Sequence, residues 1–228
     1  MPKSSRSLYF VLSIQYDNRV RLKIFAILVL SFLFLIVPKR ALADENFDIS
    51  IFSLYQIEEN GNTKVSENIS INNKTEFVYT PSYTITLGFD DINNLRVSNS
   101  EGSIPSVLKE VKEGRSIEIS FTKRVVGLGN VNNFTVSFDT KNVAVKKGSI
   151  WEVNIPGISD ASNFLSYEAT LSVPQSFEVP SIVKPAVPMV KSPFTFNKND
   201  IGKSGINILF GRSQYYMLDL LYHVDNPK

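Results

Sequence analysis

From Phe47 onward the sequence alternates apolar and polar residues with a period of two, and this pattern limits the folds open to it more than any other feature. In Ser116-Ile117-Glu118-Ile119-Ser120-Phe121 every apolar side chain has one parity and every polar one the other. Successive side chains of a strand point to opposite faces, so such a run has one dry face and one wet face. Asn133-Phe134-Thr135-Val136-Ser137-Phe138 repeats the pattern, and Tyr83 to Leu87 and Tyr167 to Val173 continue it. Strands of this kind suit antiparallel sheets packed on a single side.

The runs are short and recur at roughly ten-residue intervals between turn residues, which favours a sandwich or barrel over βαβ units. Glu59-Asn60-Gly61-Asn62 places an Asn-Gly pair between FDISIFSLYQI and KVSENISI, a tight-hairpin signature. Further turns are expected at Asp90 to Asn94, Lys112 to Arg115, Gly127 to Asn130 and Lys146 to Gly148. The expected fold class is therefore all-β, with one or more antiparallel β-sandwich modules, immunoglobulin-like or related. The alternation nominates as core Ile51, Tyr83, Ile85, Leu87, Ile117, Ile119, Phe121, Phe134, Val136, Phe138, Trp151 and Val153. The one helical turn expected lies at Pro105 to Val111. Prolines at 174, 180, 185, 188 and 193 make that stretch an edge, an extended connection or a long loop, because proline cannot donate to a central ladder. Pro, Gly, Ser and Asp cluster at Pro156 to Ser162, so the expected division is a leader at 1–43, a first sandwich at 44–157 and a second β-rich region at 158–228. The last run, QYYMLDLLYHVDN, stops two residues short of Lys228 and reads as leading into a connector.

The leader has its own logic. Arg19, Arg21 and Lys23 precede the apolar run Ile24 to Pro38, and Ala41-Leu42-Ala43 follows it, the order of parts in a secretory signal peptide cleaved between Ala43 and Asp44. Fifteen residues at about 1.5 Å each fall short of a hydrocarbon core of roughly 30 Å, which favours cleavage over retention. The competing expectation is a short membrane anchor through Ile24-Pro38, since Lys39 and Arg40 follow the run and Leu22 could extend it. Met1 to Asn18 is long for a charged leader, which is consistent with translation starting near Val20.

Export makes two features of composition informative. There is no cysteine, which excludes a disulfide scaffold, a cysteine nucleophile, a thiolate metal site and a lipidated cysteine. The formal charge of +2 is misleading: seven of the 24 Lys and Arg but only one of the 22 Asp and Glu lie in residues 1–43, so the remainder is acidic by about four charges. A nucleic-acid partner needs a concentrated basic surface. None is expected, and the pairs Lys123-Arg124 and Lys146-Lys147 read as strand ends or edge-protecting charges.

Candidates for chemistry are few. His223 is the single histidine, so a two-histidine metal site is impossible, and Gly211-Arg212-Ser213-Gln214-Tyr215 has tyrosine where a nucleophile elbow needs glycine. Gly202-Lys203-Ser204 lacks the first glycine of a phosphate loop, Asn197 standing in its place. Asn197 to Gly202 resembles the start of a calcium loop but has Ile208 at the twelfth position, so it reads as a turn. Asp90, Asp91 and Asn93 are the weak candidates for a Ca²⁺ site at a sandwich end, against the plainer reading of turn residues. Tyr215, Tyr216 and Tyr222 are the candidates for a ligand-binding aromatic face, against the plainer reading of core. No catalytic residue, metal or cofactor is expected.

Three stretches in order, TPSYTITLGFDDINNLRVSNSEG, VVGLGNVNNFTVSFDT with KKGSIWEVNIPG, and FGRSQYYMLDLLYHVDNP, resemble the region N-terminal to the catalytic core in exported, membrane-attached bacterial proteins of the transglutaminase-like superfamily. The resemblance covers most of Ser53 to Pro227 and implies β-sandwich modules ahead of a thiol-dependent core. That core needs Cys, His and Asp, and no cysteine is present, so no catalytic residue carries over. The expected function is binding, spacing or presentation at a bacterial cell surface without catalysis, with a protein or a cell-envelope polymer as partner. The alternatives are an accessory fragment of a transglutaminase-like enzyme and a carbohydrate-binding module.

Overall fold

The computed structural model describes residues 46–112, 114–187 and 192–211, all within one compact unit, Ala43–Lys228. The apolar run Ile24-Pro38, the cleavage residues Ala41, Ala43 and Asp44, and Tyr215, Tyr216, Tyr222 and His223 lie outside the described residues. No helix among the described residues is long and apolar enough to cross a membrane.

The described chain is all-β. In order it forms β1 (Phe47–Ile57), β2 (Thr63–Asn73), β3 (Ser82–Leu87), β4 (Asn93–Asn99), β5 (Gly102–Ser103), β6 (Ser106–Val111) and β7 (Gly114–Ser120). There follow β8 (Val131–Thr140), β9 (Ala144–Lys147), β10 (Ile150–Ile155), β11 (Ser166–Ser172), β12 (Pro180–Lys184), β13 (Phe194–Asn197), the short helix α1 (Lys198–Ile201) and β14 (Ile206–Phe210), with 3-10 turns at Ala161–Asn163 and Gln175–Phe177. A seven-stranded sheet in the order β13-β11-β1-β2-β8-β4-β5 is one layer; a four-stranded sheet, β12-β14-β10-β9, and a three-stranded sheet, β3-β7-β6, cover its inner face. The pairings are antiparallel except between β1 and β11.

Alternation explains the layering. On β1, Ile51, Tyr55 and Ile57 are buried while Phe52 and Gln56 are exposed; on β8, Phe134, Val136 and Phe138 are buried. The three-stranded sheet packs over β8: Tyr83 and Phe121 meet the Phe134 ring edge-on at 5.8 and 5.2 Å, and Phe89 meets Phe138 at 5.9 Å. The four-stranded sheet packs over the β13 side through Phe210, 6.2 Å from Phe194 and 5.6 Å from Phe177, which in turn stacks on Trp151 at 4.5 Å. Of the expected core residues, Tyr83, Ile85, Phe121 and Trp151 are half-buried against the core and the others are buried.

Two expectations are corrected. Ser106–Val111 is β6, an edge strand paired to β7 with Ser106 opposite Ile119, not a helical turn; cross-strand pairing, with Lys109 on Glu118 at 2.5 Å, overrides the local propensity of Ser-Val-Leu-Lys-Glu-Val. Gly157 does not divide two sandwiches either. Beyond it, β11 inserts beside β1 (Tyr167 opposite Ile51), and β14 pairs with β10 (Ile208 opposite Val153), so strands from both sides of the expected boundary share sheets. The Pro156 to Ser162 cluster is a crossover loop. The proline-spaced stretch contributes β12 at the edge of the four-stranded sheet, where the missing donors cost nothing.

Candidate functional site

Two surfaces of the seven-stranded sheet deserve a chemical reading. The first is its outer face. Side chains in register form one row across six strands: Asn197, Glu168, Phe52, Asn68, Thr135 and Ser98. Neighbouring rows add Ser50, Ser70 and Asn133 on one side and Leu54, Ser66 and Ser137 on the other. Most are short and uncharged, Glu168 and, beside Ser137, the exposed Arg96 being the charged ones, and the face stays open as a groove of about 600 Å³, with Phe52, 40% exposed, as its aromatic ring. Thr135 Oγ1 donates to Asn68 Oδ1 at 2.8 Å within the row, and in the row through Leu54 the Thr170 and Thr195 hydroxyls meet at 3.2 Å. Solvated sheet faces are ordinarily polar, but long charged side chains usually supply the polarity; here hydroxyls and amides do.

The second surface is internal. Among the described residues the four- and three-stranded sheets are separate, and where their ends meet, Gly88 lies against Pro156. Beneath this seam is a cavity of about 220 Å³, floored by Ile51, Tyr55, Glu67 and Tyr167 of the large sheet and walled by Leu87 and Phe89 on one side and Ile158 and Phe164 on the other. Exposed Thr86, Gly88, Gly157 and Ser159 line its mouth.

Glu67 sits in the middle of β2 with Val65 and Ile69 on either side on the same face, and is 2% exposed. Its Oε2 is buried without a hydrogen-bond partner. Burial raises its carboxyl to about 7, and the Ser53 hydroxyl, which favours the charged form, offsets only part of that. No salt bridge reaches it among the described residues. Ser53 Oγ and Tyr167 Oη are in hydrogen-bond contact at 3.2 Å, and Tyr55 completes the polar cluster. Burial pushes the Tyr83 hydroxyl up to about 12 and raises those of Tyr55 and Tyr167. This cluster was not among the sequence candidates. Its signal is nevertheless present: in Val65-Ser66-Glu67-Asn68-Ile69 the glutamate falls on the apolar parity.

The sequence candidates fare differently. Asp91 and Asn93 are brought together, Asn93 Nδ2 donating to Asp91 Oδ1 at 2.6 Å. Asp91 Oδ2 accepts from the Lys141 N–H at 3.2 Å, so both oxygens serve the turn, while Asp90 uses its backbone carbonyl to accept from Arg115 Nε at 3.0 Å. Among the described residues no group of three or more His, Cys, Asp or Glu could hold a metal ion. Asn197 to Gly202 is a capped helical turn: Asn197 Oδ1 accepts from the N–H groups of Asn199 and Asp200, and Asp200 Oδ2 accepts from the Asn197 N–H.

No protein-family model matches the chain, and no curated protein matches it. Among solved structures it is similar to native leukotriene A4 hydrolase from Saccharomyces cerevisiae, at 10% identity and a TM-score of 0.48 over 79% of this chain and 32% of that one. It is also similar to an aminopeptidase N family protein from Idiomarina loihiensis, at 13% identity and 0.41 over 71% of this chain and 29% of that one. A third is an M1 zinc metallopeptidase from Deinococcus radiodurans, at 8% identity and 0.37 over 72% of this chain and 41% of that one. The chain spans less than half the length of each, none of the three is transglutaminase-like, and at this level of similarity neither a shared fold nor a shared activity follows.

Proposed function

We propose that this is an exported, non-catalytic binding module of a bacterial cell envelope, and that its working surface is the outer face of the seven-stranded sheet. The observation that carries this reading is the row Glu168, Phe52, Asn68, Thr135, Ser98 in its open groove. Amides and hydroxyls both donate and accept, so they match a ligand rich in hydroxyls, and an aromatic ring offers a flat apolar platform beside them. A groove running over several strands suits an extended chain. The partner of that chemistry is a neutral polysaccharide of the envelope. The apolar run Ile24-Pro38 supports export, and the acidic balance of the remainder sets nucleic acid aside. An accessory region of a transglutaminase-like protein would use such a face in the same way, to hold a polymer beside a partner domain.

The test is equilibrium binding of the full chain to purified cell-wall polysaccharide and its soluble oligosaccharides. Phe52→Ala should weaken binding by about tenfold, in line with loss of a central aromatic contact. Ile182→Ala, at a 45%-exposed position of β12, should leave it unchanged. Equal binding by both variants, or none by the parent chain, would remove the reading.

A further inference from the structure

The seam cavity asks for a ligand of its own, independent of the outer face. Three observations meet there: a half-open cavity of about 220 Å³, a floor and walls mostly of aliphatic and aromatic side chains, and one carboxylate oxygen, Glu67 Oε2, that is buried and unpartnered. A buried polar atom left without a partner bears its desolvation penalty in full, and a charged one bears more. Sequences seldom retain such a residue in a sheet core where valine or isoleucine would pack, as Val65 and Ile69 do on either side.

We infer that the seam cavity binds a small organic ammonium ion, its amine head paired with Glu67 Oε2 and its apolar or aromatic body held among Ile51, Phe89, Ile158 and Phe164.

The chemistry selects this class over others. An acid would face a carboxylate and would be repelled. A metal ion would find one carboxylate and no group of three acidic or histidine ligands among the described residues. An alcohol or amide could donate to Oε2 but would leave the carboxylate charge buried and uncompensated. An ammonium ion supplies the missing donor and the missing charge together, through a hydrogen bond about twice as strong as a neutral one. Tyr55, Tyr167 and Phe164 are among the lining residues, and aromatic rings favour a cation over a neutral head. Size sets the limit: at interior packing density the cavity holds a body of roughly nine non-hydrogen atoms.

The titratable groups facing Glu67 are Tyr55 on β1, Tyr167 on β11 and Tyr83 on β3, all held protonated by burial, so across neutral pH the carboxyl titrates alone. Ligand binding should therefore strengthen as the pH rises through about 7, where Glu67 ionises.

The experiment uses the purified full chain and two probes of equal size, 2-phenylethylamine and 2-phenylethanol, titrated calorimetrically at pH 8 and pH 6. The expected result is one saturable site that takes the amine at least tenfold more tightly than the alcohol at pH 8, with that preference falling at pH 6. Glu67→Gln should abolish the preference. Ser159→Trp, which leaves Glu67 in place and fills the mouth, should abolish binding of both probes. In a carboxyl-carbon NMR titration, the Glu67 midpoint should fall by at least one pH unit when the amine is saturating. The inference is overturned if the two probes bind within twofold of each other, if Glu67→Gln keeps the amine preference, if Ser159→Trp binds like the parent, or if neither probe binds. Loss of polysaccharide binding would not bear on it, because the outer face is on the other side of the sheet.

Discussion

Ser53 and Glu67 stand directly opposite each other on β1 and β2, on the face of the sheet turned to the core, so that two polar side chains share a site whose next neighbour across the sheet is Val136. The serine hydroxyl is too small a counterweight for a carboxyl taken out of water. The proton on Glu67 is therefore held up to about 7 against an ordinary 4.5, burial being the cause and Ser53 the partial offset.

That relationship fixes the sign of a pH effect on stability. Between pH 4.5 and about 7 the folded protein keeps a proton on Glu67 that the unfolded chain has released. The contribution is complete below the unfolded value, shrinks as pH rises and is lost above about 7, a swing on the order of 3 kcal/mol. Glu67→Gln removes the titration. Urea unfolding of parent and variant at pH 4.5, 6, 7 and 8 should show the variant gaining about 3 kcal/mol on the parent across that range. Glu58, Glu152 and Asp160, whose carboxyls are held below their ordinary values by Lys64, Lys147 and Ser162 respectively, act only at lower pH and cancel in the difference. A constant difference would mean that Glu67 is hydrated or paired in the folded protein.

The aromatic stack on the other side of the core makes a plainer prediction. Phe210 ends β14, is fully buried, and touches both Phe177, in the turn between β11 and β12, and Phe194 of β13, so it ties the four-stranded sheet to the seven-stranded one. Phe210→Ala removes those contacts where the backbone cannot collapse, at a cost of about 3–5 kcal/mol. Phe52→Ala, on the opposite face and 40% exposed, should cost less than about 1 kcal/mol. Denaturant midpoints of the two variants measure the contrast, and similar losses would refute the assignment of inner and outer faces.

Local patterns carried the strands and their faces. The Asn60-Gly61 hairpin between β1 and β2 and the alternation of β7 and β8 follow from neighbouring residues alone, because turn chemistry and parity are local properties. Pairing at a distance is not local. Nothing in Ser166 to Ser172 announces a parallel partner at Ser50 to Gln56, so a loop rich in Pro and Gly looked like a domain boundary when it is a crossover. Ser106–Val111 misled for a related reason: its side chains are mostly exposed on an edge, where no buried face imposes a period of two. Glu67 was legible as a polar residue on the apolar parity of β2, but counting apolar matches passes over the residue that breaks the count. Of the outer face, its polarity was legible and the cross-strand row was not, since a row exists only once the register is known.

The seam itself depends on a close backbone approach that can be tested by one methyl group. Gly205 has φ +72°, and a Cβ there would lie 2.1 Å from the Ile155 carbonyl oxygen and 2.8 Å from the Gly157 nitrogen. Gly157 in turn leaves no room for a Cβ, which would fall 2.0 Å from the Lys203 carbonyl oxygen. The loop ahead of β14 is thus pressed against the segment that walls the cavity, and the Ile158 N–H donates to the Gly202 carbonyl at 2.8 Å to hold it there. Gly129 has almost the same conformation, φ +75°, with nothing within 4 Å of a Cβ. Gly129→Ala should therefore show the cost of the left-handed backbone alone, about 1 kcal/mol. Gly205→Ala adds a clash between backbones that neither side can relieve by turning a side chain, and should cost at least about 3 kcal/mol in all. Because the displaced segment carries Gly157 and Ile158, the same variant should also disturb the cavity, seen as a shifted titration midpoint of the Glu67 carboxyl. Equal losses for the two alanines, with the Glu67 midpoint unmoved, would show that the two loops do not meet.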